Sequence, residues 1–176
     1  MRYLLGQLFL IGLLVLTACD RGQPTPETFS SETGQFSIAT PEPFEETQQS
    51  VQTPVGPVEI HTFTAETGDS AYVVAYSDYP EEIVDQTDPQ VLLNSSRDGA
   101  VGNLGGTLIS ESELELEGHP GRALVIRADA EQGETATISS HIYLVDNRLY
   151  QVLVVAPENS PEAGTSAAFL DSFDLQ

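Results

Sequence analysis

Hydrophobic positions along the chain fall into three regimes. Leu4 to Leu16 is a greasy stretch behind a single positive charge, Arg2. Asp20 to about Thr33 is Gly, Pro, Ser, Thr and acid, with Phe29 as its one large apolar residue. That composition buries too little to offset its ordering entropy and predicts a flexible tether. From Phe36 onward, short apolar runs alternate with turn residues up to Leu175. The expected organisation is a leader over 1–18, a tether over 19–34 and a single domain over 35–176.

Within the domain, Phe36-Ser37-Ile38 alternates and stops at Thr40-Pro41, predicting a first strand. Glu45 to Thr53 is polar but compatible with a strand, and Pro54-Val55-Gly56-Pro57 predicts a tight turn into a partner strand over Val58 to Thr64. Ala71 to Tyr79 is apolar on both faces, which places it centrally in a sheet. At Asp88-Pro89 the pattern changes: Asp is a good N-cap and Pro a good first helical residue. A helix over Pro89 to about Asn103 follows, with Val91, Leu92, Val101 and Leu104 as its apolar contacts and Gly105-Gly106 beyond its end.

Strands are denser afterwards. Leu108 to Glu117 reads as an acid-faced strand in which Leu114 and Leu116 alternate with Glu113, Glu115 and Glu117, Gly118-His119-Pro120-Gly121 as a turn, and Arg122 to Ala130 as the next strand. Gly133-Glu134 marks another turn before Thr135 to Val145, and Asp146-Asn147 a hairpin into Leu149 to Ala156, again apolar on both faces. Ser160-Pro161 opens a last helix whose Ala163, Ala167, Leu170 and Phe173 share one face. Four strands, a helix, four strands and a helix predict an α+β fold: a largely antiparallel sheet of about seven to eight strands with two helices packed on it.

The N-terminus adds an address. Thirteen apolar-stretch residues reach only about 20 Å as a helix, short of a roughly 30 Å hydrocarbon core, so a secretory signal is expected rather than a mature membrane span. Its boundary, Leu16-Thr17-Ala18-Cys19, resembles the bacterial lipoprotein processing box, and Cys19 is the only cysteine in the chain. The resemblance implies cleavage before Cys19, acylation of its thiol and an extracytoplasmic protein held at a membrane by its acyl chains. Asp20, directly after it, resembles the inner-membrane retention signal of enterobacterial lipoproteins, yet periplasmic, lumenal and outer-surface locations all stay open.

Charge narrows the classes of partner. With 27 Asp plus Glu against six Lys plus Arg, the formal net charge is −21, which excludes a phosphate-backbone partner and hence nucleic acid. A lone cysteine excludes a disulfide framework and a Cys-rich metal site. Acids cluster at Glu45-Glu46, Glu81-Glu82 and Glu111 to Glu117, a pattern that suits solvated strand edges and loops. Asp129 to Glu134 has the wrong acidic and Gly positions for a calcium loop.

Candidate chemistry is sparse. There is no Gly-x-Ser-x-Gly elbow and no phosphate-cradling loop after a strand, and the expectation is a protein that is not an enzyme and carries no cofactor. His61 and His141 on neighbouring strands could converge on a metal with a carboxylate; the alternative is two hydrogen-bonded structural histidines. Tyr72 and Tyr76 share a face and could line a ligand pocket between sheet and helix, or simply pack with their hydroxyls at the core edge. Arg127, between Ile126 and Ala128, could hold an anion; an ion pair with one of the many acids is the simpler reading, as it is for Arg97, Arg122 and Arg148.

Gly118-His-Pro-Gly-Arg122, Tyr143-Leu-Val-Asp-Asn-Arg-Leu-Tyr150 and Phe169-Leu-Asp-Ser-Phe-Asp-Leu175, taken with the strand order, resemble the PsbP-type α/β/α sandwich shared by bacterial lipoproteins and secreted proteins. The resemblance covers about Phe36 to Leu175 and implies that fold; its well-studied members are accessory subunits of photosystem II in the thylakoid lumen, and others are small adaptors. This chain departs from the photosynthetic members in having neither Trp nor Lys. The leading expectation is a non-catalytic, lipid-anchored accessory protein with an envelope-protein partner. A small-ligand or metal-binding receptor, or a photosystem II lumenal factor, are the alternatives.

Overall fold

A computed structural model describes residues 26–53, 56–129, 134–158, 160 and 163–176. Alternating side chains first build a hairpin, β1 (Glu27–Ser31) and β2 (Phe36–Thr40). Four strands flank the first helices: β3 (Glu45–Thr53), β4 (Gly56–Thr67) and β5 (Ser70–Asp78), then α1 (Glu81–Asp85), α2 (Pro89–Asn103) and β6 (Thr107–Leu116). The remainder is β7 (His119–Asp129), β8 (Thr135–Val145), β9 (Arg148–Pro157), α3 (Ala163–Asp171) and the short β10 (Asp174–Leu175). Seven strands form one sheet in the order β3-β4-β5-β9-β8-β7-β6, every neighbouring pair antiparallel. A second, three-stranded sheet runs β1-β2-β10. The expected α+β sandwich is the observed fold, and the two strands apolar on both faces, β5 and β9, lie side by side in the middle of the large sheet.

Alternation sorts the core into two chemically distinct halves. One face of β5, β8 and β9 carries Tyr72, Val74, Tyr76, Tyr143, Tyr150, Val152 and Val154, which pack with Phe36, Ile38, Phe63, Phe169 and Phe173 from the small sheet, β4 and the C-terminal segment. The other face carries Leu124, Ile126, Ile138, Ile142, Leu144 and Leu149 and is closed by Leu93 of α2. Asp88 caps α2 as the sequence predicts: its Oδ1 accepts a hydrogen bond from the Gln90 amide at 2.8 Å, with Pro89 in the first turn.

Several expectations are corrected. The stretch read as a tether ends earlier, because Glu27–Ser31 pairs antiparallel with β2 and the ordered unit starts before residue 35. Phe29 is the cause: it sits 5.1 Å from Phe44 and 5.5 Å from Phe63, so one aromatic recruits an otherwise polar segment. Phe36–Thr40 belongs to the small sheet, not the large one. On α2, Leu92 and Val101 pack on the sheet as expected, but Val91 and Leu104 are exposed and the most buried contact is Leu93. On α3 the inward side chains are Ser166, Phe169 and Leu170, with Phe173 just beyond the helix; Ala167 faces solvent. Pro161 and the side chain of Ala163 lie outside the described residues, as do Pro54-Val55, Gly133 and the whole leader with Cys19.

Two turns set the register. Glu117 and Gly118 both take positive φ (52° and 88°), the mirror-image turn that matches strand twist, so the reversal falls there and His119 already begins β7. Asp146 (φ 51°) makes the predicted two-residue hairpin that pairs Val145 with Arg148.

Candidate functional site

The large sheet lines up one residue from each strand in a transverse row: Gln48, His61, Tyr76, Tyr150, Tyr143, Gly121 and Leu114. All of these point to the aromatic face. The His61 and Tyr76 rings stack at 4.6 Å, nearly parallel. Gly121 is required where it stands, because a Cβ there would meet the Ile142 carbonyl oxygen and the Tyr143 ring, each at 2.6 Å. The row therefore depends on a gap that only glycine leaves.

Arg148, at the start of β9, flanks the middle of this row, beside Tyr76 and Tyr150. Its Nε and one terminal nitrogen donate to the two Asp78 oxygens at 2.6 and 2.8 Å, and its other terminal nitrogen donates to the Thr33 carbonyl at 2.9 Å. The guanidinium lies 4.5 Å over the Tyr76 ring. Tyr150 donates to the Gly34 carbonyl at 2.7 Å, and the Gln176 amide to that of Gln35 at 3.0 Å. Three groups from distant parts of the chain thus hold the β1–β2 turn. The Arg148 hydrogen bonds keep the Asp78 carboxyl below the usual range, while the same partner holds the Arg148 guanidinium firmly charged.

Further along the aromatic face, α3 leaves part of the sheet uncovered. A cleft of about 300 Å³ opens there. Its floor is Val125, Ser139 and His141, and Ser166 and Leu170 of α3 form a wall. His141 is half-buried, and desolvation lowers its pKa below the ordinary value, with Asp171 opposing, so at neutral pH the ring is uncharged. Its Nδ1 is 3.2 Å from the Tyr143 hydroxyl, which burial keeps protonated. Small side chains, one neutral imidazole and an open mouth can hold a small molecule with a single polar handle.

The predicted residues divide accordingly. Tyr72 and Tyr76 do share a face, but both are buried core side chains: Tyr72 meets Phe169 edge-on at 5.2 Å, and the Tyr76 hydroxyl is buried without a hydrogen-bond partner. Burial raises its pKa, and Arg148 pulls the other way. Arg127 pairs with Glu158 at 2.9 Å, and Glu158 lines one end of the cleft. His61 and His141 share a face, but β5 and β9 separate their strands, about 14 Å at the usual strand spacing. The structure does not bring them together, and no group of three or more His, Cys, Asp and Glu side chains that could hold a metal occurs among the described residues. Arg97 and Arg122 both grip Glu111 at 3.0 Å, on the aliphatic face.

Sequence reasoning missed the organising role of Arg148, and Ser139 and Ser166 as cleft residues. The Asp146-Asn147 hairpin predicts the register that sets Tyr143 beside Tyr150. The Asp78–Arg148 pair needs the adjacency of β5 and β9, strands separated by the whole middle of the chain, and no local pattern encodes that.

No family model matches the sequence, and no curated protein sequence matches it significantly. Among solved structures, the chain is similar to the solution structure of cyanobacterial PsbP (CyanoP) from Synechocystis sp. PCC 6803, with a TM-score of 0.59 and 13% identity over 92% of this chain and 99% of that one. A protein from Bacteroides thetaiotaomicron VPI-5482 aligns with a TM-score of 0.49 and 12% identity, covering 88% of this chain and 49% of that one. Protein PA94 of unknown function from Pseudomonas aeruginosa aligns at 0.38 and 7%, covering 76% and 84%. The fold is PsbP-like; the likeness carries no activity with it.

Proposed function

We propose that this protein is a lipid-anchored, extracytoplasmic accessory factor that binds another envelope component and performs no catalysis of its own. One observation carries the reading: Leu16-Thr17-Ala18-Cys19, with the only cysteine in the chain at the processing position behind a short apolar leader. The PsbP-like fold is compatible with it, and so is an aromatic face occupied chiefly by packing. Radiolabelled palmitate supplied to cells should enter the wild-type protein and not Cys19→Ser, and the substituted protein should leave the membrane fraction. Purification from detergent-solubilised membranes should return a reproducible envelope protein; label in Cys19→Ser, or no partner in repeated trials, would overturn the reading.

The cleft beneath α3 favours a second reading, a small-ligand receptor. His141 would supply the polar contact and Ser139 and Val125 the floor. Thermal-shift screening of the full chain in detergent tests it: a ligand that raises the melting temperature of the wild type but not of Ser139→Leu would support this reading over the first.

A further inference from the structure

The large sheet has two edges, and they are built differently. At one, β6 carries a bulge between Leu108 and Ser110 that interrupts its pairing with β7, and Glu111, Glu113 and Glu115 crowd one of its faces. Bulges and charges are how proteins keep sheet edges from recruiting other chains. At the other edge, β3 pairs with β4 without interruption from Glu45 opposite Thr64 to Thr53 opposite Gly56. It contains no proline, and its two charges are confined to its first two positions. Every residue from Glu45 to Gln52 is solvent-exposed, so both faces of this strand stand clear of the packed layers. Alternate residues of an edge strand turn N–H and C=O groups outward, and from Thr47 to Gln52 no charge, proline or bulge blunts that row.

Charge selects among the occupants. Glu45 and Glu46 project to opposite faces at the start of the strand, and Glu59 lies opposite Ser50 on the same side as Glu46. Just before β3, a cavity of about 450 Å³ is floored by Phe29 and Phe44 and rimmed by Glu27 and Glu42. Aromatic rings below and carboxylates at the rim suit an aliphatic stem with a cationic head, the chemistry of a Lys or Arg side chain. A second copy of this chain would bring another strongly negative molecule to the same edge, given a formal charge of −21.

We propose that β3 is a docking strand for an extended, basic segment of a protein partner, which adds to the sheet as an eighth strand and seats a Lys or Arg over Phe29 and Phe44. This rests on the accessory-factor reading and gives that reading its surface and the charge of its partner. Backbone hydrogen bonds supply the affinity of such strand addition, and flanking side chains its specificity.

The test uses the full chain in detergent with three fluorescein-labelled heptapeptides as probes: Arg-Lys-Thr-Val-Thr-Val-Thr, the same peptide with Glu-Glu in place of Arg-Lys, and the basic peptide N-methylated at alternate residues on its hydrogen-bonding edge. Fluorescence anisotropy should show saturable binding of the first and little of the other two. Glu45→Lys with Glu46→Lys, both fully solvated positions, should weaken the basic peptide about tenfold and improve the acidic one. Hydrogen exchange should slow in β3 and not in β6. Equal binding of the N-methylated peptide, protection at β6, no binding of the basic peptide, or a chain that sediments as a dimer through β3 would each overturn the proposal. If the peptide docks at β3 and yet no envelope protein co-purifies, the accessory-factor reading falls while the docking strand stands.

Discussion

The two faces of the large sheet share strands but not chemistry. On one side the buried side chains are aliphatic, closed by a helix through Leu93. On the other they are dominated by Phe and Tyr, closed by a small sheet and α3. The aliphatic face draws its buried residues from Leu93 to Leu149 and none from the first strands or the C-terminal segment. The aromatic face joins Phe36 to Phe173 and ties one hydroxyl, that of Tyr150, and the Arg148 guanidinium to backbone carbonyls of the β1–β2 turn. Both halves add polar contacts to burial, but of different kinds: on the aliphatic side Arg122 and Gln151 reach side chains of α2, Gln90 and Ser96, whereas on the aromatic side the donors end on backbone carbonyls of the β1–β2 turn, and substitutions should separate the two.

The largest effects come from core truncation. Phe36→Ala removes a fully buried ring that contacts Phe63 and Phe173 and should cost about 3–5 kcal/mol, measured by urea unfolding. Leu93→Ala should cost about 2–5 kcal/mol on the aliphatic side. If the halves are distinct, hydrogen exchange will quicken in β1 and β2 for the first and in α2 for the second. Gly121→Ala comes next, at about 1–3 kcal/mol, because its Cβ has to displace the Tyr143 ring or the Ile142 carbonyl.

Two tyrosines one strand apart sharpen the point. Tyr150→Phe strips the hydrogen bond to Gly34 and should lose about 1–2 kcal/mol, whereas Tyr76→Phe removes a buried, unpartnered hydroxyl and should be neutral or stabilising by about 1 kcal/mol. Thermal melts of the two variants should move in opposite directions or differ by several degrees.

The smallest effect is on pH dependence. His141 has a folded pKa below its ordinary 6.5, so the unfolded chain binds the proton first and stability falls as pH drops below about 6.5. Asp78, also depressed, contributes stability above its ordinary 3.8 that disappears only in stronger acid, as pH falls through its folded value. His141→Gln should flatten the first decline and leave the second; Asp78→Asn should do the reverse. A chemical-denaturation series from about pH 7 to about pH 2 distinguishes them.

Element type was legible wherever period and punctuation agreed. β5 and β9 declared their central positions by being apolar on both faces, and Asp88-Pro89 marked the start of α2. β1 is illegible because its composition is that of a tether; only the surroundings of Phe29 reveal a strand, and those are Phe36 of its hairpin partner with Phe44 and Phe63 from further along the chain. The stripes of α2 and α3 are legible only in part: Leu92, Val101, Leu170 and Phe173 pack inward, but glycine, alanine and serine give a weak periodic signal, so tertiary packing decides for Leu93 and Ser166 over Val91, Leu104 and Ala167. The candidate site was less legible still. Tyr72, Tyr76, His61 and His141 were correctly placed on strands, yet their partners are set by strand adjacency, which pairs Asp78 with Arg148 across seventy residues.

Phe173 stacks on Phe36 and Tyr143, β10 lies against β2, and the Gln176 amide reaches the carbonyl of Gln35. During synthesis, β1 and β2 therefore find their lasting neighbours among residues that follow the whole large sheet in the sequence. The aliphatic half can assemble before α3 is made, but the aromatic half stays open until Phe173 and β10 appear, and throughout that interval Phe29, Phe36 and Phe63 are the surfaces a chaperone would have to shield.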